Sequence, residues 1–314
     1  MDTILRVNNL KKSFGDNDVL KGISFDILKN NVVGFVGNNG AGKSTTMKII
    51  LGLLKADTGE VEVMGEKVYY GDNKTNRYIG YLPDVPAFYP YMTPIEYLTM
   101  CAEITGVDRS QIRKRVSELV EFVGLNKNAK RRINGFSRGM KQRLGIAQAI
   151  VHKPELLICD EPTSALDPIG RAEIIDLLHN IKSETTVFFS THILSDIERI
   201  SDDVVMLNKG KIVLNGSIDE LKHKNSMNQI RVVFKSGNDL QCITECLNNN
   251  LSAAYEQKND RELLLKINNE KQNNSEDIES VILELLYSKK IFPQLIEGVE
   301  PSLEDIFVNL KSGE

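Results

Sequence analysis

The sequence predicts an α/β fold, a mainly parallel sheet flanked by helices, followed by a smaller α+β domain. Three observations carry this. The run Gly37-Asn38-Asn39-Gly40-Ala41-Gly42-Lys43-Ser44-Thr45 lies between an apolar strand pattern, Val32 to Val36, and a helical one, Thr46 to Leu51. A second buried-strand pattern, Leu156 to Cys159, ends in two acids, Asp160 and Glu161. From Glu155 to about Leu214, short apolar runs alternate with helix-period segments, as parallel strands joined by crossover helices do.

Along the chain, Ile4 to Asn8 and Gly22 to Leu28 read as short antiparallel strands separated by the turn-rich Gly15-Asp16-Asn17-Asp18. The run from Gly37 to Thr45 fits G-x-x-x-x-G-K-[ST]. Its glycines let the backbone curl until successive N–H groups point at one anion, and the helix that follows aims its positive dipole end at the same place. Lys43 is expected to neutralise the β and γ phosphates of a nucleoside triphosphate, and Ser44 to offer its hydroxyl to Mg²⁺. The segment from about Thr93 to His152 reads as helices. Thr93-Pro94-Ile95-Glu96 is a capping box with Pro at the first helical position, and Gln111 to Val123 carries a helix-period apolar stripe. Ser137 is placed to cap a helix from Arg138 to His152, making a further anion site from its hydroxyl and the free N–H groups. Downstream of a phosphate loop, a strand ending in Asp160-Glu161 suits Asp160 to the Mg²⁺ shell and Glu161 to polarising the attacking water.

After Asn215-Gly216, Ser217-Ile218-Asp219-Glu220 forms another capping box, and a polar linker follows over Lys222 to Ser226. Then come a strand Gln229 to Phe234, a helix Leu240 to Leu247, a hairpin of Ala253 to Glu256 with Glu262 to Ile267, a helix Glu276 to Tyr287 and a strand Ile291 to Ile296. That order is βαββαβ. A last helix, Leu303 to Leu310, carries Leu303, Ile306, Phe307 and Leu310 on one face, which should be buried. The Asn-rich stretch Asn268 to Asn274 reads as a solvated loop.

Composition excludes several classes. A chain of 314 residues with 41% hydrophobic and 26% charged side chains suits one large and one small globular domain. The net charge of -4 argues against a nucleic-acid partner. No apolar run approaches the roughly 18 residues of a membrane-spanning helix, and the first residues lack a signal-peptide core, so a cytoplasmic location is expected. Cys101, Cys159, Cys242 and Cys246 are too few and scattered for a disulfide framework.

Asn134-Gly135-Phe136-Ser137-Arg138-Gly139-Met140-Lys141-Gln142-Arg143-Leu144 resembles the signature of ATP-binding cassette (ABC) proteins, usually Leu-Ser-Gly-Gly-Gln before a basic helix. Ser137 and Gly139 match; Phe136, Arg138 and Met140 depart. Ser164-Ala165-Leu166-Asp167 is similar to the family's D-loop, His192 to its switch histidine, and Phe14 to the aromatic that stacks on adenine. In Ile79-Gly80-Tyr81-Leu82-Pro83-Asp84, Asp84 stands where the family usually has Gln, and the resemblance makes it a Mg²⁺-side residue.

The resemblance covers residues 3–216 and implies an ATP-binding cassette over 1–216 with a helical subdomain at about 85–152; the pattern beyond it predicts a linker at 217–226 and a ferredoxin-like α+β domain with a docking helix over 227–314. It assigns Glu161 and His192 to catalysis. Phe14, Gly37 to Thr45, Ser137, Gly139 and Asp167 fall to the nucleotide, and Ser44, Asp84 and Asp160 to the metal. ATP and Mg²⁺ are the implied ligands. A permease on a separate chain and a second ATP-binding subunit, identical or closely related, are the implied partners, with the protein peripheral on the inner face of the membrane. The tail Glu300 to Phe307 resembles bacterial multidrug, bacteriocin and antibiotic-resistance exporters. The alternative is a soluble ABC ATPase serving as a mechanical switch in translation or DNA repair; one phosphate loop and no sustained heptads weigh against it. A GTPase is disfavoured because no Asn-Lys-x-Asp occurs.

Overall fold

Apolar Ile23, Phe25 and Ile27 alternate with exposed Ser24 and Asp26, so one face of β2 (Asn17–Leu28) enters the core. It pairs antiparallel with β1 (Thr3–Phe14). The computed structural model describes residues 2–225, 229–250, 254–266 and 278–312. Both strands exceed their sequence estimates: a register shift beside Asn9, at φ 47°, carries β1 onward, and the turn shrinks to Gly15-Asp16. With β4 (Thr58–Val63) and β5 (Glu66–Lys67) they form a sheet in the order β2-β1-β4-β5.

The central sheet holds β3 (Val32–Val36), β6 (Ile79–Leu82), β7 (Leu156–Cys159), β8 (Thr186–Thr191), β9 (Asp203–Asn208) and β10 (Lys211–Ser217), in the order β10-β9-β3-β8-β7-β6. Every neighbouring pair is parallel except β9 with β10. Strands β3, β7 and β8 are buried throughout, which is why they read as unbroken apolar runs. Phe25 packs on Phe35 and Phe188, with ring centroids 5.8 Å away in each case, and joins the antiparallel sheet to the central one.

Helix α1 (Lys43–Ile50) follows β3. The helical segment contains α2 (Pro94–Ile104), α3 (Arg109–Phe122) and α4 (Arg138–Ala149). Thr93 and Glu96 form the capping box expected of α2, with Glu96 Oε2 accepting from Thr93 N at 2.8 Å. Asp108 caps α3 by accepting from Ser110 N at 2.8 Å. Helix α4 stops three residues short of the expected His152, because Lys153 turns to φ 54° ahead of Pro154. Residues between α3 and α4 are turns and short 3₁₀ segments, so the segment read as helices is made of separate helices, with α4 starting at the expected Arg138. Helices α5 (Pro168–Ile181) and α6 (Leu194–Ile200) complete the unit Met1–Ile218.

Helix α7 (Ile218–Asn225) starts at the expected capping box and runs on through Lys222 to Asn225, which read as polar linker; it is acidic in its first turn and basic in its last, a charge order that suits the helix dipole. Ser226 lies outside the described residues. The unit Asp219–Glu314 contains β11 (Gln229–Val233), α8 (Gly237–Asn250), β12 (Ala254–Asn259), β13 (Glu262–Lys266), α9 (Ile278–Ser288), β14 (Leu295–Val299) and α10 (Leu303–Ser312). Its sheet order β12-β13-β11-β14, antiparallel throughout, is that of a split βαβ fold. Ile230, Val232, Phe234, Ile243, Leu263 and Leu265 lie in its core. Strand β14 starts four residues later than the expected Ile291, beyond Pro293, which has no N–H for a ladder. Leu303 and Ile306 of α10 are buried as expected. Ala253, Ile267, Asn268 to Asn274, Glu276 and the Leu310 side chain lie outside what is described.

Candidate functional site

Parallel register gathers the site. Val36 of β3 lies beside Thr191 of β8, Leu82 of β6 beside Cys159 of β7, and Cys159 beside Phe189 of β8. The residues that leave these strands at their carboxyl ends, Gly37, Asp84, Asp160, Glu161 and His192, therefore emerge along one edge of the sheet.

The loop from Gly37 to Gly42 is held by sterics. A Cβ on Gly37 would sit 2.5 Å from the Leu207 carbonyl oxygen, and Gly42, at φ 112°, would meet Leu20 at 2.6 Å. Gly42 is also the N-cap of α1 and supplies no side-chain acceptor, so the first-turn N–H groups face an incoming anion. Lys43 is buried; its Nζ donates to Gly37 O at 2.6 Å and lies 3.1 Å from Glu161 Oε1.

Ser44 Oγ donates to Asp160 Oδ1 at 3.1 Å, and Ser190 Oγ donates to the same oxygen at 2.7 Å. Glu161 N donates to Ser190 Oγ at 2.9 Å, and Asp160 N to Leu82 O at 2.8 Å. Glu161 has φ 47°, uncommon for a residue with a side chain, and its carboxylate is clasped between Lys43 and His192, whose Nδ1 is 2.9 Å from Oε2. Burial pushes the Tyr81 phenol up to about 12, with nearby Asp160, Cys159 and Asp84 adding to the effect.

Ser44 and Asp160 supply the hard oxygen donors that Mg²⁺ takes. Among the described residues no group of three His, Cys, Asp or Glu side chains could hold a metal alone. Two protein oxygens with phosphate and water completing the shell are the usual arrangement for Mg²⁺.

The structure thus brings Lys43, Ser44, Asp160, Glu161 and His192 into one cluster with the Gly37 carbonyl. It leaves other predicted residues apart. Phe14 is 51% exposed, with the Lys12 ammonium 5.2 Å from its ring centroid. Ser137 caps α4 by accepting from Met140 N at 3.2 Å, and Asp167 caps α5 by accepting from Gly170 N at 3.3 Å. Asp84 Oδ1 is buried without a hydrogen-bond partner and lies 3.6 Å from Arg138 Nη2, so its neighbour is a cation of its own chain. Among the described residues, no hydrogen bond or ion pair joins Ser137 or Gly139 to the Lys43–Glu161 cluster.

Two participants escaped the sequence reading. Ser190 bridges Asp160 and the Glu161 backbone, yet a Ser before Thr-His carries no signal of its own. Buried Asp196 accepts from Thr163 Oγ1 at 3.0 Å and from Arg171 Nε at 2.8 Å, joining α6, which follows His192, to the segment after Glu161. An acid in the first turn of a helix reads as a dipole partner, and only tertiary contacts reveal its second use.

The profile of the family described as ABC transporter matches residues 20–164. The uncharacterized ABC transporter ATP-binding protein YxlF of Bacillus subtilis is 43% identical over 232 residues, 74% of this chain and 77% of that protein. The bacitracin transport ATP-binding protein BcrA of Bacillus licheniformis is 40% identical, covering 72% and 73%. The linearmycin resistance ATP-binding protein LnrL of Bacillus subtilis is 32% identical over 98% of both chains. Among solved structures, an ATP-binding subunit of an ABC transporter superposes with a TM-score of 0.64 at 30% identity, over 70% of this chain and 92% of that one.

Proposed function

Since this chain belongs to the ABC transporter ATP-binding family, whose members hydrolyse ATP, we propose that it powers a separate membrane-spanning permease in an exporter, through ATP-driven pairing of two cassettes. Among the described residues, no helix is long and apolar enough to cross a membrane, which accords with a permease on another chain. The proposed location is the cytoplasmic face of the membrane. Export is favoured by the bacitracin transport and linearmycin resistance relatives, the second of which aligns across both units of the chain.

One observation carries the paired arrangement. The phosphate loop, Asp160, Glu161 and His192 form one cluster, whereas among the described residues no hydrogen bond or ion pair links Ser137 or the N-terminus of α4 to it. A second copy can supply that missing face, with Ser137, Gly139 and Asp167 of one chain closing over nucleotide held by Lys43 of the other.

Lys43 neutralises phosphate charge, and an incoming triphosphate competes with Glu161 for it. The Glu161 carboxylate, released on that side and still aligned by His192, then polarises the attacking water. Mg²⁺ held by Ser44 and Asp160 would neutralise charge on the phosphates. Phe14 offers a ring face to the base.

Isolation from membranes tests the reading: a multi-pass membrane protein should co-purify with the chain, and ATP hydrolysis should respond to it. Purification alone, with ribosomes or DNA-repair proteins as the only companions, would reject the transport assignment.

A further inference from the structure

Arg138 is the first residue of α4, next to its N-cap Ser137. A cation there opposes the helix dipole, so the position needs an anion nearby. Asp84 provides it at 3.6 Å, a separation that makes an ion pair without a hydrogen bond. Both side chains are nearly half exposed, 46% and 45%, so the pair is breakable. The Asp84 Oδ1 atom is itself buried and has no hydrogen-bond donor.

Asp84 is also close in sequence to the other end of the chemistry. It lies two residues beyond Leu82, whose carbonyl accepts from Asp160 N at 2.8 Å. One short stretch therefore braces the Mg²⁺-side acid of its own site and restrains the helix end that offers Ser137 to another site.

We infer that Arg138 is a positioning residue shared between two anions: Asp84 of its own chain holds it until a nucleotide phosphate, presented at the α4 N-terminus by a second copy, takes it over. This rests on the paired-cassette reading proposed above. Transfer of Arg138 frees the Asp84 carboxylate two residues along the chain from the Leu82–Asp160 bond, so closure at one site is felt in the other through a single chain. Two of the departures from the family pattern, at positions 84 and 138, form one device.

The test is a double-mutant cycle in full-length chains carrying Glu161→Gln, with ATP-driven dimerisation followed by light scattering as ATP and Mg²⁺ are titrated. Asp84→Asn should lower the ATP concentration for half-dimerisation by about three- to fivefold, the scale of one exposed ion pair. Arg138→Gly should raise it, and Arg138→Lys should restore part of the loss. In the Arg138→Gly background, Asp84→Asn should have no further effect. An equal shift in both backgrounds overturns the inference and returns Asp84 to an independent metal-side role. Asp84→Gln gives the same comparison if the Asn variant does not fold. A Glu161→Gln reference that stays monomeric in ATP overturns the paired-cassette reading itself, which separates the two failures.

Discussion

Lys43 Nζ stands 3.1 Å from Glu161 Oε1, and only 6% and 15% of these side chains are exposed, so the phosphate-binding lysine and the carboxylate assigned to water activation are bonded to each other. Replacing Glu161 with Gln keeps the shape and removes the charge. ATP binding should persist while turnover falls about a hundredfold or more, the scale of a lost acid-base group. Freed from the pair, Lys43 should bind phosphate at least as well as before. Steady-state hydrolysis with a parallel ATP-binding titration gives the result, and near-wild-type turnover would remove Glu161 from the role.

Mixing damaged subunits tests the shared site. Chains with Ser137→Arg and chains with Lys43→Ala should each be inactive as homodimers, and a mixture should recover at most one of two composite sites. Hydrolysis by Ser137→Arg alone, independent of protein concentration, would contradict a nucleotide held between two copies.

Ser190→Ala removes one hydroxyl that donates to Asp160 and accepts from Glu161 N. Leaving the Glu161 N–H unpaired should cost about 1–3 kcal/mol of stability. Turnover should fall too, with more Mg²⁺ needed for half-maximal activity, since Asp160 loses a constraint. Denaturant unfolding and a Mg²⁺ titration on the same sample separate the two effects. A Ser190→Thr variant that keeps the hydroxyl should lose less.

The sequence made the phosphate loop, the acid-ended strand and the switch histidine legible because each is a local pattern fixed by chain geometry: glycines where the backbone is crowded, acids where a buried strand ends. Ser190 and Asp196 were not legible because their roles depend on residues 30 and 33 positions away. The same distinction holds for the fold. Capped α2 and the βαββαβ order follow from local signals, whereas the length of β1 depends on an irregular register beside Asn9 that only pairing with β2 reveals.

His152 offers a pH test. Burial holds its imidazole below the usual histidine range; a hydrogen bond to the Ile79 backbone opposes this and the Arg115 charge adds to it. The folded state therefore favours neutral His152, and its contribution is present above the unfolded value near 6.5. As pH falls through that value the unfolded chain takes the proton first, and stability drops until the folded group titrates as well. His152→Gln should flatten this part of the stability profile below about pH 6.5. Identical slopes for both proteins would show that the imidazole is not coupled to folding.

The unit Asp219–Glu314 poses the last question, whether it serves packing or association. Ile218 is buried, and its N–H donates to Asp202 O at 2.9 Å, so a cut should spare α7. A chain ending at Asn225 retains every residue assigned to nucleotide and should bind ATP with nearly unchanged affinity. Buried Leu303 and Ile306, and the separate core around Val232 and Phe234, show a unit with its own packing. Units of this kind commonly act through interfaces. Removing residues 226–314 should therefore weaken ATP-driven dimerisation in the Glu161→Gln background while leaving monomer affinity in place. Nucleotide affinity and dimer fraction are measured on the same truncated protein. Undiminished dimerisation would reject an associative role, and loss of nucleotide binding by a folded truncation would show that the cassette extends beyond Asn225.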